Sequence, residues 1–436
     1  MMTRDEARKR IDKILSFSKA DACRVTVRSS ALAQTRFARN EITTSGRVSD
    51  LAITVESTKG TRTGRITVNE SSDDALRAAV RQAEDLAQYA TPDPEFVEPL
   101  GPQKYPEIAG YDPDAADAAQ EQFLPGVREA VRGADARSLV AAGFYTRTAT
   151  ATAVASSGGA FGFDRRTSLS YSVTVRTPEG DGSGWGRAVG HRLADVDAPR
   201  AARVAIDKCV LSKAPRPLEP GLYTVVLEPA AVGDILSPLS LDLDARAAEE
   251  GRSVMTKKGG GTRIGEKMFS DSVTLYSNPT DPRAPGTPWG SELLPARKTT
   301  WIEKGVLKSL ACTRYWAKKT ETEPVPAPTS LVLEGQDHSL EDLIASTERG
   351  LLITRFWYIR YLNRQTVQLT GLTRDGVFMI EKGKVAHPVI NFRWNESPIR
   401  LLANVEMMSR NEHTGAMIVP ALKVRDFPFS SPSDAV

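Results

Sequence analysis

The 436-residue sequence is poor in the side chains that most often hold metals. It has four histidines, His191, His338, His387 and His413, and none stands near another. A helix that offers a hydrolytic zinc two histidines needs them four or five residues apart, with a glutamate beside them to take a proton from bound water. That spacing is missing, so a metal site would have to be assembled in space from distant residues. Cysteine is as scarce: Cys23, Cys209 and Cys312 lie far apart with no CxxC pair. These spacings argue against a disulfide framework and lead to the expectation of a reducing, cytoplasmic setting. An excess of one charge is lacking too. Lys and Arg number 57 against 54 Asp and Glu, a formal net charge of +3, and nothing calls for a nucleic-acid partner. No apolar run approaches the roughly 20 residues of a membrane-spanning helix, so no membrane partner is expected. The basic first residues lead into Ile11, Ile14, Leu15 and Phe17 at helical spacing, which reads as an amphipathic helix and not a signal peptide.

The patterning that is present predicts an α+β chain in two parts. Residues 1–195 read as an N-terminal domain of antiparallel sheet with helices, and 196–436 as a larger β-rich C-terminal domain. In the first part, strands are expected over 22–29, 33–38 and 50–56, with the polar stretch 40–46 as a connection. A fourth follows the turn between Gly60 and Gly64. Ser71-Ser72-Asp73-Asp74 caps a helix over 75–89 with Leu76, Ala79, Val80, Ala83, Leu86 and Ala87 on one stripe. Prolines interrupt residues 91–113, which read either as a linker or as a strap laid over the surface. A helix over 115–132 is expected to break near Pro125-Gly126, and period-two strands occupy 138–176. The glycine-rich stretch 180–190 around Trp185 reads as an exposed loop, and 199–212 as a helix with Val204, Cys209 and Val210 on its apolar side.

Several clusters invite a chemical reading, and each has a plainer one. Asp242, Asp244, Glu249 and Glu250 could hold a hard cation, but Arg246 and Arg252 beside them suit a solvated helix face. Cys312 precedes Arg314, a neighbour that would lower a thiol pKa, yet it sits beside an apolar run that suits a structural cysteine. Residues 259–267 resemble a phosphate loop until Glu266, which stands where the motif needs lysine. No G-x-S-x-G elbow occurs.

The stretch 371–398 reads as a β-hairpin turned at Glu381-Lys382-Gly383-Lys384. Its second strand delivers Asn391, Arg393, Asn395 and Glu396 around Phe392 and Trp394. This polar group is the candidate lining of a cavity or subunit interface, and no catalytic or metal-ligating residue is assigned in this chain.

The same stretch carries a family likeness. Thr373-Arg374-Asp375-Gly376, Ile380-Glu381, Pro388-Val389 and Asn391-Phe392-Arg393 through Pro398 resemble a phrase of the TldD/PmbA family of metallopeptidase-related proteins. Arg36-Phe37-Ala38-Arg39-Asn40-Glu41-Ile42, Glu249-Glu250-Gly251-Arg252-Ser253, Ile264-Gly265-Glu266-Lys267 and the phrase 419–427 extend the likeness over nearly the whole chain, the last resembling the TldE (PmbA) branch. The resemblance implies a dimeric assembly around a peptide-cleaving cavity. It also implies that TldD-type chains hold zinc through HExxxH on a helix after a strand and a downstream cysteine. The matching positions here, Asp234-Ile235-Leu236-Ser237-Pro238-Leu239-Ser240-Leu241 and Glu406-Met407-Met408-Ser409, carry neither, so none of those ligands is carried over. Glu323-Pro324-Val325-Pro326-Ala327-Pro328 also replaces a glycine-rich phrase usual in the family.

The expectation is therefore a TldE-like subunit, inactive alone, that pairs with a TldD-like zinc peptidase and shapes a shared cavity for peptides. No cofactor is expected in this chain, and zinc is expected in the partner. Two alternatives stay open: a homodimer that binds peptides or a natural-product precursor without cleaving them, and a hydrolase with unusual ligands such as Asp242 and Asp244.

Overall fold

The computed structural model describes residues 1–415 and 417–433. The N-terminal part begins with α1 (Arg4–Phe17), where Thr3 accepts from the Glu6 amide and Glu6 reaches back to the Thr3 amide. Its face of Ala7, Ile11 and Ile14 is buried. β1 (Ala22–Ala38) and β2 (Glu41–Lys59) are two long continuous strands. The connection expected at 40–46 is therefore a two-residue turn, in which Arg39 and Asn40 both take positive φ. The local polarity of 40–46 reflects strand faces open to solvent, not a loop.

β3 (Arg62–Val68) and α2 (Asp73–Tyr89) follow, with Leu86 exposed and not on the buried stripe. α3 (Pro113–Asp117) and α4 (Leu124–Asp135) come next. The helical stretch breaks at 118–123, ahead of Pro125, because proline opens α4 at its first turn. β4 (Val140–Ser156), β5 (Phe161–Arg176) and β6 (Ser183–Gly190) complete an antiparallel sheet in the order β3-β2-β1-β4-β5-β6.

β6 is the stretch expected to be a loop. Its alternation is hidden in sequence because Gly184 and Gly186 occupy the face on which α5 (Ala198–Leu211) lies. A Cβ at Gly186 would stand 1.9 Å from the Ala201 carbonyl oxygen, and one at Gly184 2.1 Å from that of Ala205. The helix backbone thus rests directly on the strand. α5 buries Ala198, Ala201, Ala202, Ala205, Ile206 and Cys209, while Val204 and Val210 are largely exposed, so its inner face differs from the expected one. Alanines take the positions that cross β6, because the helix backbone approaches the strand too closely there for a larger side chain. This face joins a core with Phe37, Phe123, Tyr145 and Tyr171, so the core of the N-terminal part extends past residue 195.

The second part is built on β7 (Gly221–Leu227), α6 (Pro229–Leu236), α7 (Ala245–Glu249), β8 (Leu275–Ser277), β9 (Thr299–Glu303), β10 (Val306–Leu307), α8 (Arg314–Thr320), β11 (Leu331–Leu333) and α9 (Leu340–Ala345). It ends with β12 (Arg349–Asn363), β13 (Gln368–Glu381), β14 (Lys384–Pro388), β15 (Phe392–Glu396), α10 (Pro398–Ala403), β16 (Val405–His413) and β17 (Met417–Pro432). β7 pairs in parallel with β12 and antiparallel with β17, while β13 and β15 join β12 to β17. The five strands close on themselves around Phe356, Phe392, Trp394, Phe427 and Phe429, with ring centroids of Phe356 and Trp394 4.6 Å apart. Closure leaves these central strands no free edge. The hairpin at 371–398 is present as β13 and β14, and β15 continues along the same edge of β13.

The two parts are tied together. Residues 91–112 form a strap: Asp93 donates its N–H to Thr61 O, the Glu95 carboxylate takes both ends of the Arg246 guanidinium at 2.7 Å, and Tyr105 Oη donates to Leu293 O at 2.9 Å. Arg166 Nη2 donates to Gly286 O at 2.8 Å, and Lys208 pairs with Glu228. Among the described residues no helix is long and apolar enough to cross a membrane.

Candidate functional site

The four residues singled out on the hairpin do not form one site. Asn391 Oδ1 accepts from Thr373 Oγ1 at 2.9 Å, which braces the strand where β14 passes into β15. Arg393 is exposed, and Asn395 sits partly buried in the pairing of β15 with β13. Glu396 is 1% exposed and its carboxylate holds Arg400 through 2.9 and 2.6 Å contacts while accepting the Ser397 amide. Its pKa is raised by burial against that arginine's opposing pull. None of the four lines the cleft where the two parts of the chain meet.

The acidic cluster also separates into distinct tasks. Asp244 caps α7 by accepting the Ala247 amide at 2.6 Å, Glu249 accepts from Trp316 Nε1 at 2.8 Å, and Glu250 pairs with Arg246 and Arg252. Asp242 is buried, which pushes its pKa up to about 6. All three cysteines are free and buried. Burial raises the Cys312 thiol rather than lowering it, and Arg314 turns instead to Glu98 O at 2.7 Å. The structural reading of Cys312 stands, whereas in the acidic cluster only Glu250 keeps the expected arginine partners and Asp242 is buried.

A cleft of about 710 Å³ lies where the two parts meet. Its floor is the outer end of β6, from Trp185 to Val189. One wall is α5 with Asp197, Arg200, Ala201, Val204 and Lys208; the other is α6 with Pro229, Ala230, Gly233 and Asp234. Arg355 from β12 and the end of β16 with Glu412 and His413 close the far side.

Each charged group here is set by its surroundings. Burial pushes the Asp234 carboxyl up to about 6, although Arg355, the Phe356 amide and Arg187 all favour its ionised form; Phe356 N–H reaches its Oδ2 at 3.1 Å. Glu412 is raised by desolvation and then by the charge of Glu228, and His413 is lowered by desolvation. Arg355 is clasped between Trp185 and Trp357, 4.6 and 5.4 Å from their ring centroids. Arg187 is an exposed residue of β6 that lines the cleft, and partial desolvation of its guanidinium lowers its pKa.

A hydrolytic metal does not fit these residues. Glu228 is held by Lys208, Asp234 faces arginines and a backbone amide, and His191 lies 3.5 Å from Asp195. Among the described residues no group of three or more His, Cys, Asp or Glu side chains is placed to hold an ion. α6 and the turn after it present Gly233, Asp234 and Ser237 to the cleft.

Sequence reasoning passed over Trp185, Arg187, Asp234, Arg355, Glu412 and His413 as site residues. The one available signal was the tryptophan and arginine embedded among glycines at 184–187, which reads as strand only once the helix packed on it is known.

Comparison with known proteins places the fold. Residues 111–212 match the domain family described as the PmbA/TldA metallopeptidase central domain, and residues 220–431 match the corresponding C-terminal domain. A curated protein described as a metalloprotease, from Methanothermobacter thermautotrophicus, is 25% identical over 231 residues, 48% of each chain. The match thus spans about half the length of that relative. Among solved structures, TldE from Thermococcus kodakarensis superposes with a TM-score of 0.87 at 20% identity, covering 98% of this chain and all of the other. A protein described as a modulator of DNA gyrase from Bacteroides thetaiotaomicron gives 0.85 at 21%, covering 99% and 100%, and one from Thermotoga maritima 0.85 at 15%, covering 97% and 100%.

Proposed function

The chain belongs to the TldD/PmbA metallopeptidase family, and from that premise we propose that it is a TldE-like subunit without zinc of its own, acting beside a TldD-like zinc peptidase. The observation that carries this reading is the wall of the cleft. At the positions where the family resemblance puts HExxxH, α6 and the turn that follows offer Gly233, Asp234 and Ser237, and the nearest carboxylates are committed to arginine, lysine and backbone partners. A zinc-bound water needs an open coordination position beside three protein ligands, and these side chains supply neither the number nor the kind.

The role left to the cleft is to hold peptide. Its volume lies in the range of pockets that take ligands of a few hundred daltons, and it mixes apolar floor residues with a few charged groups, the usual make-up of such sites. Ala188, Val189, Ala201 and Val204 offer the apolar part. Three buried, unpaired cysteines suit a reducing cytoplasm.

The test is to purify the chain alone and together with a TldD-like chain, then to measure zinc content and peptide cleavage in each. Zinc and cleavage are expected only in the mixed preparation. Stoichiometric zinc in the lone chain would overturn the reading, and a stable homodimer that binds peptide and ignores the TldD-like chain would favour the binding-only alternative.

A further inference from the structure

Two arginines that line the cleft have hydrogen-bonding capacity left over. Arg355 is fixed by stacking on Trp185, and its Nε is buried without a partner. Its nearest carboxylate oxygen, Asp375 Oδ2, is 3.8 Å from Nη1, beyond hydrogen-bond reach, while the other oxygen of Asp375 is taken by Ser183 Oγ at 2.5 Å. Arg187 makes no hydrogen bond or ion pair among the described residues. Its guanidinium packs close to Gly415: a Cβ there would come 2.5 Å from Nη2 and 3.1 Å from Cζ. Arg355 packs on Trp185, which stands two residues from Arg187 along β6 and so on the same face of the strand, and both arginines line the cleft.

Two neighbouring cations repel, a cost that an anionic ligand between them would offset. Asp234 reduces the cost through its field but makes no direct ion pair with either arginine. Planar guanidinium forks match the two oxygens of a carboxylate. The remainder of the cleft argues against a ligand dense in phosphate. Asp195, Asp197, Glu228, Asp234 and Glu412 outnumber the lining cations Arg187, Arg200, Lys208 and Arg355. A ligand with one negative group at the arginine end and a neutral or positive body toward Glu228 and Glu412 suits this distribution.

We infer that Arg187 and Arg355 form a carboxylate-binding subsite, which anchors an extended peptide by its C-terminal carboxylate or by one acidic side chain. The inference rests on the reading of the cleft as a peptide site, but it concerns the lone chain and needs no metal.

The experiment is calorimetric titration of the full-length chain alone with three probes: pentaalanine with a free C-terminus, the same peptide amidated, and an acetylated, amidated alanine pentapeptide with one central Glu. Loss of a bidentate charged contact weakens binding about tenfold or more. The free acid should bind at least about tenfold more tightly than the amide if the C-terminus is the anchor, and the Glu peptide should do so if a side chain is. Arg187→Gln should erase that preference. Arg187 has no other partner to lose, so its fold is expected to survive, and Arg355→Gln serves as the second variant with circular dichroism as its control. Equal binding of all three probes, binding of none, or a carboxylate preference unchanged in Arg187→Gln overturns the inference. Zinc content in the lone chain decides the subunit reading separately, so the two can fail independently.

Discussion

Ser183 Oγ donates a 2.5 Å hydrogen bond to Asp375 Oδ1, joining the last strand of the N-terminal sheet to a bulge in β13 of the closed barrel. Both residues are buried, Asp375 to 2% exposure. The bulge exists because Asp375 and Gly376 both take positive φ, which shifts the register between Ile353 and Arg355 and turns the carboxylate toward the other domain. Replacing Asp375 with Ala strands Ser183 and removes the counter-charge from Arg355 and Arg374, and should cost about 2–4 kcal/mol; Ser183→Ala should cost about 1–2. In chemical denaturation the double variant should lose less than the two single losses added together. Additive losses would show that the pair does not couple the two parts.

Asn40 is the second expected weak point. Its φ is 62°, its amide nitrogen donates to Asp135 Oδ1 and Leu139 O, and its carbonyl accepts the Ala141 amide at 2.6 Å. Asn40→Ala should lower stability by about 2–3 kcal/mol, since it loses these bonds and places a Cβ residue at positive φ without compensation. Asn40→Gly should lose less, because glycine takes that φ freely. A thermal melt in which the two variants fall together would argue against backbone strain as a contributor.

Gly186 and Gly46 form a contrasting pair. Gly186→Ala must displace the α5 backbone, 1.9 Å from the new Cβ, so a loss of several kcal/mol or failure to fold is expected. Gly46 has nothing within 4 Å and no positive φ, so Gly46→Ala should change stability by no more than about 0.5 kcal/mol. Urea midpoints measure both.

The pH response of the cleft follows from Asp234. Its folded pKa, about 6, lies above the ordinary carboxylate value near 4, so the folded state binds the proton more tightly than the unfolded state does. Stability should therefore fall as pH rises from about 4 to about 6, and stay lower above that window. Below about pH 4 the carboxyl is protonated in both states and contributes no slope. Asp234→Asn should flatten this decline and raise stability at neutral pH by the order of 1–2 kcal/mol, allowing for solvent screening of a partly exposed group. Asp242, also pushed up to about 6, contributes a decline in the same window, so Asp242→Asn is the companion variant. Denaturation between pH 4 and 7 with an unchanged slope in both variants would contradict the assignment.

The elements most legible in sequence were those written in local patterns. The cap at Ser72, the hairpin turned at Lys382 and Gly383, and the strand 221–227 all appear where periodicity and turn residues put them. The strand at 183–190 was not legible, because its alternation uses glycine where a core strand uses valine, for the sake of a helix placed on it. The family phrases were legible as likeness but not as function. Arg39-Asn40, Asp375-Gly376 and Asp426 are positions where the backbone turns to positive φ to make a hairpin or a bulge. The conspicuous polar residues around them serve strand geometry.

By itself the sequence determined the longer helices and most strands, the absence of paired histidines, and the family, because each is carried by neighbours along the chain. The cleft was decided only by tertiary structure. Its residues come from 185–208, 228–237, 355 and 412–414, and they meet because β7 pairs with both β12 and β17 and β6 docks beside them. Local periodicity says which face of a strand is buried. Which distant strand lies beside it, and so which arginine comes to stand next to which, depends on register across the closed sheet.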